Sequence, residues 1–133
     1  MLVVDTNVVA YLLIVGDATK QAQALWQADP GWCSEPFFRI ELSNLLATQV
    51  RAKALTLAQA LALLERAQSS VEATAEVSHA DALRVAARFG VSAYDARFLA
   101  VAQGLGSRLV TEDSRLRRAA PALTQSLAEA LAR

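Results

Sequence analysis

Apolar residues follow two patterns along this chain: short runs of two to four residues, and longer segments in which they recur every three or four positions. Residues 2–4 and 32–33 are runs of the first kind, and they predict short buried strands over 2–4 and 32–34. The longer segments predict helices with one apolar face. Because strands and helices alternate, the sequence predicts an α/β fold whose central, mainly parallel sheet is covered by helices on both faces, a three-layer α/β/α sandwich.

The predicted elements follow the turn and capping signals between these segments. The predicted strands are residues 2–4, 32–34, 71–77 and 108–111. The predicted helices end at Gly and Pro positions or begin at capping residues such as Ser78 and Ser92. They cover about residues 8–14, 18–28, 36–51, 56–67, 79–89, 93–103 and 114–120. The last stretch, 122–133, fits either an edge strand with a tail or a helix.

Four carboxylic acids fall near the predicted carboxyl ends of the strands. Asp5 ends the first strand, Glu41 lies early in the helix after the second strand, and Asp113 follows the strand 108–111. Asp95 is in the first turn of the helix that leads into that strand. Ligands of parallel α/β sheets bind beyond the carboxyl ends of the strands, so the four acids are expected to converge at one edge of the sheet.

A convergence of carboxylates needs a proton or a cation to be stable. Two like charges about 4 Å apart repel by about 4 kcal/mol at an effective dielectric near 20. A site built from oxygen ligands alone selects a hard divalent ion. The four acids therefore predict a site for Mg²⁺ or Mn²⁺.

Each acid also has a structural explanation. Asp5 and Asp113 are well placed to cap the helices that follow them, and Glu41 could belong to a solvated polar face. Asp95 lies three residues after Ser92, which is the spacing of a capping box, but Asp81 stands in the same relation to a serine. Local spacing therefore does not distinguish Asp95 from Asp81.

The amino-acid composition limits the classes of protein to which this chain can belong. The chain has 133 residues, of which 54% are hydrophobic and 20% charged, as expected for a single globular domain, residues 1–133, with a substantial core. One cysteine, Cys33, and one histidine, His79, exclude a disulfide framework, a zinc cluster and a nuclease mechanism that uses two histidines. The absence of a long apolar run predicts a cytoplasmic protein without a membrane span.

The distribution of charges along the chain favours a polyanionic partner, although the net charge does not. The net charge is +0, with 13 basic and 13 acidic residues. From residue 82 onward, however, eight arginines stand against four acids. If some acids are gathered in a metal site, the remaining surface is basic, which suits a nucleic acid.

Four segments together resemble one known family. They contain Asp5, Glu41, Asp95 and Asp113 in turn, and read VVDTNVVAYLL, FFRIELSNLL, SAYDARFLAVA and RLVTEDSRL. In order and spacing they are similar to the PIN-domain nucleases, in particular the VapC-type toxins of bacterial toxin and antitoxin pairs. The resemblance covers almost the whole chain, includes Tyr94 before Asp95, and is least specific after Pro121.

The resemblance implies an activity and a set of residues. It implies a metal-dependent endoribonuclease in which Asp5, Asp95 and Asp113 bind Mg²⁺ or Mn²⁺ and Glu41 positions the metal or a water. Asn7 and Thr111 would be supporting polar groups. The implied partners are an RNA substrate, a cognate antitoxin and a second copy of the chain in a homodimer.

Other side chains and other functions remain open from the sequence. Arg39, Arg97 and Arg115 could contact RNA or an antitoxin, although each could equally be solvated surface. Phe37 and the other large aromatic residues of the first third are expected to belong to the core rather than to stack on bases. The alternative function is a non-catalytic RNA- or protein-binding module of the same fold. A phosphoryl-receiver domain fits less well, because the first strand ends in one acid rather than two and the last third has no lysine.

Overall fold

The structure is a computed structural model that describes residues 1–133, except for the side chain of residue 73. In the described chain, five strands are β1 to β5 in chain order: Val3–Val4, Trp32–Ser34, Val71–Thr74, Leu109–Val110 and Thr124–Gln125. The α-helices are α1 to α8 in chain order: Thr6–Leu13, Thr19–Ala28, Phe37–Arg51, Leu57–Ser70, His79–Phe89, Ala93–Gly104, Ser114–Ala119 and Leu127–Leu131.

All neighbouring strands pair in parallel, in the order β3-β2-β1-β4-β5. The two residues of β1 and the two of β4 are fully buried, as expected when helices cover both faces of a parallel sheet. α1 packs against α2, α3 and α4, and α2 against α8, whereas α5 packs against α6, which contacts β1 and β4. The predicted α/β/α sandwich is therefore confirmed.

The predicted elements are present, and most of their ends differ by no more than two residues. Two ends differ by three: α4 continues to Ser70 instead of ending at Ala67, and the third strand ends at Thr74 instead of continuing to Val77. The amide of Val77 donates to the carboxylate of Glu35, and its carbonyl accepts from Arg97. Because side chains satisfy the backbone of Val77, this residue does not need the hydrogen bonds of a sheet.

The ambiguous last stretch contains both of the predicted alternatives. A short 3₁₀ helix, Pro121–Leu123, leads into β5, which pairs with β4 as the edge strand. Ser126 then begins α8 with a capping box, in which its hydroxyl accepts from the amide of Glu129 and the carboxylate of Glu129 accepts from the amide of Ser126. Within the described chain, no helix is both long and apolar enough to cross a membrane.

Candidate active site

The strand order places a crevice between β1 and β4. The chain proceeds from β1 outward to β2 and β3, and then returns to the other side of β1 for β4. Ligands of open α/β sheets bind at such a point, where the order reverses. Asp5 directly follows β1 and Thr111 directly follows β4, and both are buried at this point.

Asp5 is both a helix cap and a buried charge. Its carboxylate accepts a hydrogen bond of 3.0 Å from the amide of Val8 and so caps α1. The pKa of Asp5 is raised to about 6, chiefly by burial and in addition by the nearby charges of Glu41 and Asp95, against hydrogen bonds from Thr111 and Val8 that lower it. The capping interpretation is thus correct for this residue, and its burial and raised pKa are also what a functional carboxylate would show.

Glu41 reaches the same crevice from α3. The hydroxyl of Thr6 donates a 2.6 Å hydrogen bond to its carboxylate, which joins α3 to the first residue of α1. Burial raises the pKa of Glu41, and the charges of Asp95 and Glu35 add to the rise. Thr6 is a site residue that sequence reasoning did not assign, because nothing local connects it with a glutamate 35 positions away.

Asp95 and Asp81, which the sequence could not distinguish, have different surroundings. The backbone amide of each donates a hydrogen bond to the hydroxyl of a capping serine. The carboxylate of Asp81 then pairs at 2.7 Å with Arg84 on the exposed side of α5. The carboxylate of Asp95 lines the crevice, and burial raises its pKa, with the charge of Asp113 adding to the rise. Tertiary structure therefore selects Asp95.

Asp113 caps the short helix α7 at the mouth of the crevice. Its carboxylate accepts from the amides of Arg115, at 2.9 Å, and Leu116, at 3.3 Å. Its own amide donates to the hydroxyl of Thr111 at 3.1 Å. The loop that carries Thr111 and Asp113 is held further by Arg117, which donates to the carbonyl of Thr111 at 2.9 Å.

The four predicted acids line one cleft of about 250 Å³. Its other described lining residues are uncharged: Thr6, Asn7, Asn44, Leu45, Phe98 and Leu116. Asn7, predicted as a supporting residue, lies at the wall of the cleft with an exposed side chain. Among these described lining residues, no basic side chain balances the four carboxylates, so the cleft is strongly negative.

The donor chemistry of the cleft fits a divalent cation. The carboxylate oxygens of Asp5, Glu41, Asp95 and Asp113 are hard ligands of the kind that Mg²⁺ and Mn²⁺ take. Among the described side chains, however, no three acidic, histidine or cysteine groups are already arranged to hold one ion. Two of the four acids cap helices and Glu41 is hydrogen-bonded to Thr6, so three of the four carboxylates have hydrogen-bond partners within the protein.

The three predicted arginines lie in different places. Arg115 lines a shallow hollow of about 360 Å³ that shares Asp95 and Asp113 with the cleft. Arg39 lies over the ring of Phe38, 5.2 Å from its centroid, and does not line the cleft. Arg97 also does not line the cleft, and its guanidinium contacts Glu35, at 3.4 Å, the carbonyl of Val77 and the ring of His79.

Glu35 is a buried acid that sequence reasoning missed. It directly follows β2, is 2% exposed, and accepts from the amide of Phe37 at 2.7 Å. Its other partners are the amide of Val77 and the guanidinium of Arg97, which also donates to the carbonyl of Val77, at 2.8 Å, and contacts Nδ1 of His79, at 2.6 Å. His79 thus contacts Arg97 and does not line the cleft, and Glu35 ties the start of α3 to α6.

We expect the metal-free protein to lose stability as pH rises through about 6. The pKa of Asp5 is about 6 in the folded protein against 3.8 ordinarily, so between these values the folded state holds a proton that the unfolded state lacks. The stabilisation by this proton is therefore complete below about pH 4 and lost above about pH 6. Over this range the free energy of unfolding should fall by roughly 3 kcal/mol, the value for a pKa raised by about two.

Urea unfolding in EDTA over this pH range measures the effect. Other groups titrate in the same range, so the quantity to compare is the free energy of unfolding of the wild type minus that of Asp5→Asn. The raised pKa values of Glu41 and Asp95 act in the same direction in both proteins. A difference that stays constant with pH would contradict the prediction.

Known proteins are similar in sequence to this chain over nearly its whole length. The PIN domain family matches residues 2–121. Ribonuclease VapC3 of Pyrobaculum aerophilum is 29% identical over 126 residues, which cover 92% of this chain and 96% of the relative.

A solved structure matches the fold. The crystal structure of PAE2754 from Pyrobaculum aerophilum superposes with a TM-score of 0.79 at 22% identity, over 97% of this chain and 90% of that one. At this identity the likeness concerns the fold alone. Because the family pattern spans residues 2–121 and the sheet and helices agree with it, this chain belongs to the PIN domain family.

Proposed function

We propose that this protein is a metal-dependent endoribonuclease that hydrolyses phosphodiester bonds of RNA, with residues 1–133 acting as one nuclease domain. The observation that carries the proposal is the cleft in which Asp5, Glu41, Asp95 and Asp113 meet. Burial raises the pKa of three of these carboxyl groups, which is the electrostatic signature of a functional site. Similarity to a protein named as a ribonuclease supports the substrate class.

The proposed reaction is attack of a water on the scissile phosphate in line with the leaving oxygen. Asp5, Asp95 and Asp113 would hold Mg²⁺ or Mn²⁺, which supplies positive charge to the phosphate and lowers the pKa of the attacking water. Glu41, whose pKa is raised by burial, is suited to orient that water and accept its proton. The hydrogen bond from Thr6 fixes the orientation of the Glu41 carboxylate.

We further propose that the protein is the toxin of a type II toxin and antitoxin pair, that it acts in the cytoplasm, and that it forms a homodimer. Similarity to a VapC protein supports the toxin assignment. Support for a protein partner comes from an apolar hollow of about 390 Å³ between α3 and α4. Leu57 and Leu61 in its lining are 64% and 57% exposed, which is typical of a surface that another protein covers.

The alternative function is a binding module without catalytic activity. Such a module would gain nothing from four carboxylates in one cleft, since their repulsion destabilises the fold. The acid-lined cleft therefore favours the nuclease.

The deciding experiment is cleavage of a pool of single-stranded and structured RNA by the purified wild-type protein. We expect cleavage with Mg²⁺ or Mn²⁺ and none with EDTA. Asp5→Asn protein, purified in parallel, controls for contaminating ribonucleases, because contamination would cut RNA in both preparations. If metal-loaded wild-type protein without any antitoxin cuts no RNA, that result would support the binding module.

Arg115 is expected to contact a phosphate of the RNA. It shares a hollow with Asp95 and Asp113, whereas Arg118 is exposed on the same helix and lines neither hollow nor cleft. Arg115→Ala should weaken RNA binding and reduce the slope of log affinity against log salt by about 0.7, the value for one contact on a single strand. Titrations at several salt concentrations measure this slope, with Arg118→Ala as the matched control. Equal slopes for the two variants would reject the contact.

A further inference from the structure

Two aromatic rings stack at the side of the acidic cleft. The ring of Phe37, the first residue of α3, lies against the ring of Tyr94 in the first turn of α6. The centroids are 5.3 Å apart and the planes differ by 8°. The stack therefore joins the starts of the two helices that carry Glu41 and Asp95.

Each of the two stacked residues is close to a carboxylic acid of the cleft on its own helix. Phe37 and Glu41 are four residues apart, which puts their Cβ atoms about 5–6 Å apart on one face of α3. Tyr94 directly precedes Asp95, whose carboxylate lines the cleft. A nucleotide next to one whose phosphate lies in the cleft is therefore within reach of the stack.

Tyr94 is not a core residue. Its side chain is 62% exposed although Phe37 covers one face of its ring. Phe38 and Phe98, in contrast, are buried on the same two helices. Packing on Phe37 restricts the tyrosine ring, so a ligand that stacks on it has less side-chain freedom to remove.

We infer that Tyr94, held by Phe37, binds an unpaired nucleobase of the RNA beside the scissile phosphate. The inference rests on the proposed nuclease function and adds a base-binding subsite to it. Every nucleobase has an aromatic face, so the subsite is expected to tolerate all four bases while requiring that the base be free to leave a helix. Phe37 is the positioning residue of the pair, which revises the expectation that it belongs only to the core.

The test removes the base and the ring separately and together. An RNA that the wild type cuts is made with one abasic nucleotide at each position around the cut. We expect one flanking position at which loss of the base lowers kcat/KM by about 5- to 150-fold, the range for one base stacked on an aromatic side chain. Tyr94→Leu should lower cleavage of the intact RNA by a similar factor, and the abasic RNA should then be cut no more slowly than the intact one.

Controls separate this inference from the nuclease assignment. Tyr94→Phe keeps the ring and should retain the slower cleavage of the abasic RNA that Tyr94→Leu loses, whereas Tyr94→Leu should unfold at the same urea concentration as the wild type. An abasic effect that is equally large in the wild type and in Tyr94→Leu would overturn the subsite while leaving the nuclease intact.

A second measurement does not depend on cleavage. RNA that carries the fluorescent base 2-aminopurine at the flanking position is bound to Asp5→Asn protein, and stacking on Tyr94 is expected to quench the base. Quenching that is lost in the Asp5→Asn, Tyr94→Leu double variant supports the subsite. Quenching that remains in the double variant overturns it, whether or not the wild type cuts RNA.

Discussion

Replacing Asp5 with asparagine is expected to abolish RNA cleavage and, without metal, to make the protein more stable. Asp5 is 9% exposed and its pKa is raised to about 6, so near neutral pH its charge is an unfavourable feature of the metal-free fold. Asparagine caps a helix as well as aspartate does, so the hydrogen bond from the amide of Val8 can persist. The loss of a carboxylate that holds the metal should slow cleavage by about a thousand-fold or more, or about 4 kcal/mol of transition-state stabilisation.

Single-turnover cleavage rates and urea unfolding in EDTA measure the two effects on the same preparations. Asp5→Ala tests the cap, because alanine accepts no hydrogen bond and should be about 1 kcal/mol less stable than the asparagine variant. Asp17→Asn changes the same charge at an exposed position away from the cleft and should alter neither quantity. If Asp5→Asn still cleaves RNA, Asp5 does not bind the metal. If Asp5→Asn is clearly less stable than the wild type without metal, the carboxylate of Asp5 is mainly structural.

The sequence predicted the architecture because that architecture depends on local signals. Buried runs such as Val3–Val4 and Leu109–Val110 are apolar at every position, as strands of a covered parallel sheet must be. Serine caps and the glycine at position 90, which has a φ of 68° at the end of α5, mark where helices begin and end. The position of Asp5 at the carboxyl edge of the sheet follows from its place directly after the first strand, whereas the strand order that reverses beside it comes only from the structure.

What the sequence could not predict depends on contacts between distant segments. Thr6 and Glu41 are 35 positions apart, and Glu35 and Arg97 are 62 apart. In the sequence Glu35 stands between a serine and a proline, a context typical of an exposed turn. In the structure this carboxylate is buried, accepts hydrogen bonds from the amides of Phe37 at the start of α3 and of Val77, and contacts Arg97 on α6.

Arg97→Ala is expected to destabilise the protein by about 3–5 kcal/mol. The side chains of Arg97 and Glu35 are 15% and 3% exposed, and their charged atoms are 3.4 Å apart. Removal of the arginine leaves a carboxylate in the interior without its cation, which costs far more than the pair itself contributes. Urea unfolding at about pH 7 measures the loss as a change in the free energy of unfolding.

A second ion pair in the same protein provides the matched control. Arg84 and Asp81 are closer, at 2.7 Å, but their side chains are 74% and 61% exposed, so Arg84→Ala should cost less than about 1 kcal/mol. If an unpaired buried charge is the cause, adding Glu35→Gln to Arg97→Ala should restore part of the lost stability, because the amide carries no charge. Equal losses in Arg97→Ala and Arg84→Ala would mean that water reaches Glu35, and the connection between β2 and α6 would then depend on packing rather than on this pair.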